Sequence, residues 1–216
     1  MQVNIKQAIR LFFSNPSLDM VFIEAIANSL DADASKISIC ISIDELGKQE
    51  TLKITVQDNG VGFTQERYGK FCKLLQVEDS THKGVGRLVY LYYFDTIEVS
   101  SIFNKQHRTF LYNTSFDEAN SNMVLEPIDS QEQRTILNFS NKCSSNFLDF
   151  YNHFNKLNHP RHIIQISNYI FKSTDVVIIW NNQFQDNLVN QSHKYTIIFI
   201  TELRDNLFLI NIDSKE

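Results

Sequence analysis

The segment from Phe22 to Ile41 constrains the fold most, because its hydrophobic period changes partway along from that of a helix to that of a strand. In the first half, Glu24, Asn28 and Asp31 recur at i, i+4 and i+7, a spacing that places three polar side chains on one helical face. The second half alternates isoleucine with small residues, as a half-buried strand does. The segment predicts a helix packed on a sheet, with polar side chains lining a site.

The polar face of this helix has two interpretations. The carbonyl oxygen of Asn28 can ligate a hard cation such as Mg²⁺, and Glu24 one turn earlier can polarise a water molecule beside that cation. The same spacing is also typical of the solvated face of an ordinary surface helix. The spacing alone leaves both interpretations open.

A second motif follows a predicted strand at 52–56. The strand runs into the sequence Gln57-Asp58-Asn59-Gly60-Val61-Gly62-Phe63. An aspartate at a strand end can accept a hydrogen bond from the exocyclic amine of a purine, and a second glycine lets the backbone approach a flat ligand closely. Asp-Asn-Gly is also a common turn signal, so this motif alone is moderately specific.

A third motif combines glycines with the start of an apolar helix. It reads Lys83-Gly84-Val85-Gly86-Arg87 and leads directly into LVYLYYF. Free backbone N–H groups at a helix N-terminus attract anions, and Lys83 and Arg87 add positive charge. The motif is a candidate phosphate cradle, with a flexible loop before a helix as the alternative.

Composition narrows the class of protein. With 43% hydrophobic and 21% charged residues the chain is typical of globular domains, and its net charge of −5 argues against a broad non-specific nucleic-acid surface. No apolar run reaches the roughly 18 residues of a membrane span, so we expect no membrane partner. The three cysteines have no paired spacing, which indicates free thiols in a reducing compartment, and we expect a cytoplasmic location.

The rest of the chain predicts further helices and strands. Helices are expected at 3–13, 64–75 and 146–157, and Pro16 suits the first position of the helix that carries Glu24. Strands are expected at 36–43, 95–101, 108–116, 123–128, 135–139, 162–171, 176–180, 195–200 and 207–212, with an Asn/Gln-rich turn at 181–191. After Pro160 the segments become mostly β-branched or aromatic. This change divides the chain into a domain at 1–160 and a β-rich C-terminal extension or partial second domain at 161–216. The six histidines lack a ligand spacing, so we expect exposed or capping roles for them.

Taken together and in order, the three motifs resemble those of the GHKL superfamily of ATPases, which includes DNA gyrase B, chaperones of the Hsp-ninety type, sensor histidine kinases and MutL. The run from Glu24 to Ala32 resembles the N box, Asp58 to Gly62 the adenine-binding box, and Lys83 to Gly86 the phosphate-lid box. The resemblance covers about residues 1–140 and is closest to the MutL and gyrase B branch. It implies an α/β two-layer sandwich of the Bergerat type, with helices on one face of a mixed, mostly antiparallel sheet.

The resemblance also implies roles for individual residues. Glu24 would be the general base for the attacking water, and Asn28 would ligate Mg²⁺ at the phosphates. Asp58 would bind the adenine amine, with Asp31 supporting the pocket. The remaining implied nucleotide contacts are Gly60 and Gly62 beneath the base, Thr135 near the adenine, and Lys83, Gly84, Val85, Gly86 and Arg87 around the triphosphate.

The implied function is Mg-dependent ATP binding and slow hydrolysis that drives lid closure and dimerisation. The chain would be the ATPase module of a larger machine that acts on DNA or on client proteins, with partner domains supplied separately. The alternative is a regulatory or interaction module that holds ATP or ADP without hydrolysing it. One departure from the family pattern is Thr81, which stands where the lid box usually has a glycine.

Overall fold

The computed structural model describes residues 5–14, 16–43, 51–73, 85–117, 122–143, 177–184, 193–198 and 210–213. The helix predicted at 146–157 and the strand predicted at 162–171 lie outside these residues. Lys83 and Gly84 of the third motif lie outside them too.

Four helices are described. They are α1 at Ile5–Phe12, α2 at Asp19–Asp31, α3 at Gln65–Cys72 and α4 at Leu88–Tyr93. The predicted cap of α3 is confirmed, because the hydroxyl of Thr64 accepts a hydrogen bond from the backbone N–H of Arg67 at 3.3 Å. The predicted place of Pro16 at the start of α2 is wrong. The helix begins at Asp19, and the Pro16 carbonyl instead accepts a hydrogen bond from the hydroxyl of Tyr93.

The described strands form one nine-stranded sheet. They are β1 at Lys36–Ile43, β2 at Leu52–Asp58, β3 at Phe94–Phe103, β4 at Gln106–Asn113, β5 at Val124–Pro127, β6 at Arg134–Cys143, β7 at Val177–Phe184, β8 at His193–Ile198 and β9 at Ile210–Asp213. Their order is β5-β4-β3-β6-β2-β1-β7-β8-β9. The pairing of β1 with β7 is parallel and the other described pairings are antiparallel, which confirms a mixed, mostly antiparallel sheet.

The hydrophobic core lies between the sheet and the helices. The predicted alternation of β1 is confirmed, since Ile37, Ile39 and Ile41 are fully buried. They share one core cluster with Phe22 and Ile26 of α2. A helix with an apolar stripe packs in this way on the apolar face of a sheet, and the two-layer α/β sandwich predicted from the sequence is confirmed.

An aromatic cluster holds α3 on β4. Phe71 makes edge-to-face contacts with Phe63, Tyr112 and Phe116, with ring centroids 5.1 to 5.6 Å apart. Such contacts add to the free energy of burial and favour particular ring orientations. The cluster therefore fixes α3 against the sheet and positions the loop before it.

The C-terminal strands continue the sheet beyond β1. Because β7 extends to Phe184, Asn181 and Gln183 belong to a strand and not to the predicted turn at 181–191. The segment around residue 160 is outside the described residues, so the division into 1–160 and 161–216 stays a prediction. In the part of the chain that the structure describes, no helix has the length and apolar character needed to cross a membrane.

Candidate functional site

A cavity of about 650 Å³ lies between the helices and the sheet. Residues from α2, α3, the start of α4 and the central strands line it. The predicted site residues among them are Glu24, Asn28, Asp31, Asp58, Gly62, Val85, Gly86, Arg87 and Thr135. Three motifs that are separated in the sequence thus contribute to one cavity.

Asp58 ends β2 at one side of the cavity and is only 7% exposed. Its Oδ1 accepts a hydrogen bond from the backbone N–H of Gly60 at 2.9 Å, and its Oδ2 accepts one from the hydroxyl of Ser29 at 3.2 Å. Burial raises the pKa of the Asp58 carboxyl, while the bonds from Gly60 and Ser29 lower it in part. The carboxylate is a buried acceptor held in one orientation.

The two glycines of the second motif lie against different parts of the structure. A Cβ at Gly60 would lie 2.5 Å from the carbonyl oxygen of Ala32, so this glycine lets the loop pack against the end of α2. Gly60 is not among the residues that line the cavity. Gly62 does line it, and its φ of +76° is the left-handed conformation that favours glycine.

Thr135 lines the cavity from β6 beside the same loop. Its hydroxyl is 3.1 Å from the hydroxyl of Ser101, and the Ser101 oxygen also accepts a hydrogen bond from the backbone N–H of Phe63 at 2.9 Å. Ser101 is fully buried. The pair therefore ties the loop after Asp58 to β3 and β6 and holds a hydroxyl at the cavity wall.

The polar face of α2 forms the other side of the cavity. The Nδ2 of Asn28 donates to the Oε1 of Glu24 at 3.2 Å and to the hydroxyl of Tyr90 at 3.1 Å. Burial, followed by the nearby charge of Glu24, raises the pKa of Tyr90 well above its usual value, so its phenol stays neutral. Among the described residues, no donor bonds the Oδ1 of Asn28.

This side of the cavity fits a magnesium ion. Mg²⁺ is usually held by one or two protein oxygens together with the phosphates of a nucleotide. Asn28 offers an amide oxygen, with the carboxylate of Glu24 next to it. Within the described ranges there is no cluster of three or more His, Cys, Asp or Glu side chains suited to a metal, so a site built here would depend on a ligand's own oxygens.

Gly86 and Arg87 close the cavity at the start of α4. A Cβ at Gly86 would overlap the carboxylate of Glu24, so only glycine allows this approach. Arg87 is 9% exposed, and its guanidinium lies 4.4 Å above the ring of Phe71. Its Nε has no hydrogen-bond partner among the described residues. A buried cation with an unused donor is suited to an anionic ligand.

A basic group on α3 and at its C-terminal end was not predicted from the sequence. Arg67, Lys70 and Lys73 line the cavity, and the guanidinium of Arg67 donates to the backbone carbonyl of Asp31 at 2.8 Å. Arg67 and Lys70 are three residues apart, a helical spacing that places both on one face and was available in the sequence. Tyr90, which contacts Asn28, was missed as well, because it reads as an apolar core position.

One histidine has a role that the sequence did not predict. The Nε2 of His107 is 2.9 Å from the hydroxyl of Ser100, and its Nδ1 is 3.2 Å from the Oε1 of Glu126. Successive strand residues face opposite sides of a sheet, and Val99 lines the cavity. Ser100 therefore faces away from it, and this chain of side chains links β3, β4 and β5 outside the site.

The layers and the cavity define a two-layer α/β domain with a ligand site between helices and sheet. Residues 16–144 match the sequence profile of the family described as "Histidine kinase-, DNA gyrase B-, and HSP90-like ATPase". The chain belongs to this family, which confirms the GHKL resemblance and supports ATP binding. The assignment to the MutL and gyrase B branch stays a prediction.

Two solved structures share the fold. One is the crystal structure of the N-terminal domain of a DNA repair protein, with a TM-score of 0.51 and 11% identity over 92% of this chain. This chain spans 56% of that one. The other is the topoisomerase IV ATP-binding domain of Francisella tularensis in complex with a small-molecule inhibitor, with a TM-score of 0.51, 15% identity and coverage of 88% of this chain and 92% of that one. No curated protein sequence matches the chain.

Proposed function

We propose that this chain binds ATP with Mg²⁺ and hydrolyses it slowly to ADP and phosphate. The observation that carries the proposal is that Asp58 and the hydrogen-bonded pair Glu24 and Asn28 line the same cavity. Membership of the ATPase family supports ATP binding. Hydrolysis and the roles of single residues are proposals that rest on chemistry.

In this proposal the adenine lies at the Asp58 side of the cavity. The buried carboxylate accepts a hydrogen bond from the exocyclic amine of adenine, which guanine lacks at that position. Gly62 lines the wall next to the base, and Thr135 offers a hydroxyl there. Guanine would present an acceptor oxygen to the Asp58 carboxylate, which also only accepts, so the site selects for adenine.

The triphosphate then extends toward α2 and the start of α4. Arg87 supplies a buried positive charge, and Lys70 and Lys73, which also line the cavity, add further positive charge. Val85 and Gly86 line the cavity there, and their backbone would approach the phosphates. Together with Lys83 and Gly84 of the same motif, these residues form the proposed phosphate cradle.

Asn28 would hold Mg²⁺ through its Oδ1. The ion, when bound, neutralises negative charge on the phosphates. Glu24 accepts a proton from the attacking water as the water oxygen bonds to the γ-phosphorus. The bond from that phosphorus to the bridging oxygen breaks, and ADP leaves with the bonding electron pair.

Family resemblance supports a wider role. We propose that ATP binding closes the lid over the nucleotide and promotes dimerisation, and that hydrolysis reverses both. Binding energy used for closure would leave turnover slow. The chain would act in the cytoplasm as the ATPase module of a MutL-like or gyrase-like machine that works on DNA or client proteins. Residues 161–216 would form an extension of the 1–160 domain.

Glu24→Gln tests the hydrolytic proposal, because glutamine keeps the size of the side chain and cannot accept the proton. We expect affinity for ATP to stay within about threefold and the rate of phosphate release to fall by about 100-fold or more. Glu98→Gln is the matched control, since Glu98 is exposed on the sheet face away from the cavity. Phosphate release by Glu24→Gln at the wild-type rate would contradict Glu24 as the base.

One observation favours a binding module that does not hydrolyse ATP. The Glu24 carboxylate already accepts a hydrogen bond from Asn28 and lies against Gly86. A carboxylate that already accepts this bond has one lone pair fewer for an attacking water. If the wild-type chain binds ATP and releases no phosphate above the Glu24→Gln background, this second function is the correct one.

A further inference from the structure

Two contacts join α2 to the segment that contains α4. Glu24 meets Gly86, and Asn28 meets Tyr90. Within each segment the two residues are four apart, which is about one helical turn. The proposed base on α2 thus contacts the proposed phosphate cradle at Gly86, and the proposed metal ligand contacts α4 at Tyr90.

The orientation of the Asn28 amide decides whether it can ligate a cation. An amide presents an oxygen on one side and an NH₂ group on the other, and only the oxygen binds Mg²⁺. An ionised carboxylate accepts hydrogen bonds and donates none, so Glu24 requires the Nδ2 of Asn28 to face it.

Tyr90 restrains the amide in that orientation. It is 3% exposed, and its ring packs edge-to-face on Phe139 with centroids 5.0 Å apart. Its hydroxyl oxygen accepts the second hydrogen bond from Nδ2, at 3.1 Å. With both Nδ2 protons directed to acceptors, one of them on the buried Tyr90, rotation of the amide would break two hydrogen bonds and turn the oxygen toward Glu24.

We propose that Tyr90 is a positioning residue that holds the Oδ1 of Asn28 toward Mg²⁺ and couples this ligand to the position of α4. The inference rests on the proposed function, because it concerns the same metal–nucleotide site. Groups that orient metal ligands in other proteins change metal affinity by about 10-fold to 100-fold when they are removed. An effect of that size is measurable.

The experiment compares Tyr90→Phe with Tyr93→Phe in the whole chain. Tyr93 lies on the same helix and loses a hydroxyl whose partner is the carbonyl of Pro16, outside the site. The affinity of each protein for a non-hydrolysable ATP analogue is measured by calorimetry with Mg²⁺ and with EDTA. The readout is the factor by which Mg²⁺ tightens binding, with thermal unfolding recorded for each variant.

We expect Mg²⁺ to tighten binding in the wild type and in Tyr93→Phe to a similar extent. In Tyr90→Phe the factor should fall by about 10-fold, with affinity in EDTA within about twofold of wild type. The inference would be overturned if the tightening factor were unchanged in Tyr90→Phe, or if Tyr93→Phe lost as much of it as Tyr90→Phe. It would also be overturned if Tyr90→Phe lost as much affinity in EDTA as in Mg²⁺. A wild type that binds no nucleotide would instead overturn the proposed function.

A measurement on the wild type does not depend on how the variants fold. In the NMR spectrum of the wild type with the ATP analogue, before Mg²⁺ is added, the side-chain amide protons of Asn28 should show nuclear Overhauser contacts to the ring of Tyr90. These contacts should persist when Mg²⁺ is added to the nucleotide complex. Their absence in the complex would overturn the proposed orientation.

Discussion

Gly86 lies so close to Glu24 that a Cβ on residue 86 would overlap the Glu24 carboxylate. The glycine is needed for this approach and not for its backbone conformation, since Gly62 is the glycine with a positive φ among the described residues. The position of the proposed base therefore depends on a residue of the proposed phosphate cradle.

Gly86→Ala should impair hydrolysis with little effect on stability. The overlap involves the far end of a flexible side chain, so Glu24 can move aside at low cost while losing its place beside the substrate. A displacement of about 1 Å can reduce a rate by about 100-fold, and we expect a loss of that order. Single-turnover phosphate release measures the rate, and denaturant unfolding should show a change below about 1 kcal/mol.

Gly69→Ala is the control for Gly86→Ala. A Cβ at Gly69 would meet nothing within 4 Å, and this residue lies inside α3. We expect an increase of about 0.5–1 kcal/mol in the free energy of unfolding and a wild-type rate of phosphate release. Equal rates for Gly86→Ala and Gly69→Ala would contradict the dependence of Glu24 on Gly86.

Arg87→Met tests the proposed phosphate contact. Methionine keeps a long unbranched side chain beside Phe71 and removes the charge, including its cation–π contact with the ring. We expect affinity for the ATP analogue to fall by about 10-fold and affinity for adenosine to remain unchanged, because a hydrogen bond to a charged group contributes about 1.5–3 kcal/mol. The matched control is Lys53→Met, which removes an exposed charge from β2. Equal losses for ATP and adenosine would show that Arg87 supports the fold of the cavity and does not contact phosphate.

Asp58 should make the stability of the nucleotide-free chain depend on pH. Burial raises its pKa above the ordinary value of 3.8, so the folded state binds the proton more tightly than the unfolded state. The contribution of Asp58 to the free energy of unfolding should therefore be largest below pH 3.8. It should fall as the pH rises through the raised pKa of the folded state. In Asp58→Asn this fall should disappear. Thermal unfolding of both proteins between pH 3.5 and about 7 measures it, and parallel curves would contradict the assignment.

Arg108 should be needed to hold the loop that follows the second motif. It is fully buried, and its guanidinium donates to the carbonyl oxygens of Phe63 and Thr64 and to the Oε1 of Gln65, at 2.7 to 2.9 Å. Arg108→Lys keeps the charge and loses the planar fork, so we expect a cost of about 2 kcal/mol in the free energy of unfolding. Denaturant unfolding measures this cost, and a loss below about 0.5 kcal/mol would contradict it.

The elements predicted well are those with local signals. The alternation of Ile37, Ile39 and Ile41 and the cap at Thr64 depend on neighbours in the sequence, and the structure confirms both. Pro16 was misplaced because its usual preference for a first helical turn was outweighed by the contact of its carbonyl with Tyr93. That contact joins residues far apart in the chain.

Some contacts in the candidate site could not be predicted, because they too join residues far apart in the chain. Asn28 and Tyr90 are 62 residues apart, and nothing in the sequence around either indicates that they meet. The fit of Gly60 against Ala32 likewise depends on how the loop packs on the end of α2. Motifs show which residue types a chain offers, while the contacts that orient them arise only when the segments pack together.

The central claim is that the cavity binds adenine nucleotide through Asp58. The most direct test is titration calorimetry of the purified chain with a non-hydrolysable ATP analogue and Mg²⁺, alongside the matching GTP analogue and the Asp58→Asn variant. We predict binding of the ATP analogue by the wild type, at least about 10-fold weaker binding of the GTP analogue, and loss of ATP-analogue binding in Asp58→Asn. Equal binding of both analogues, or undiminished binding by Asp58→Asn, would contradict the claim.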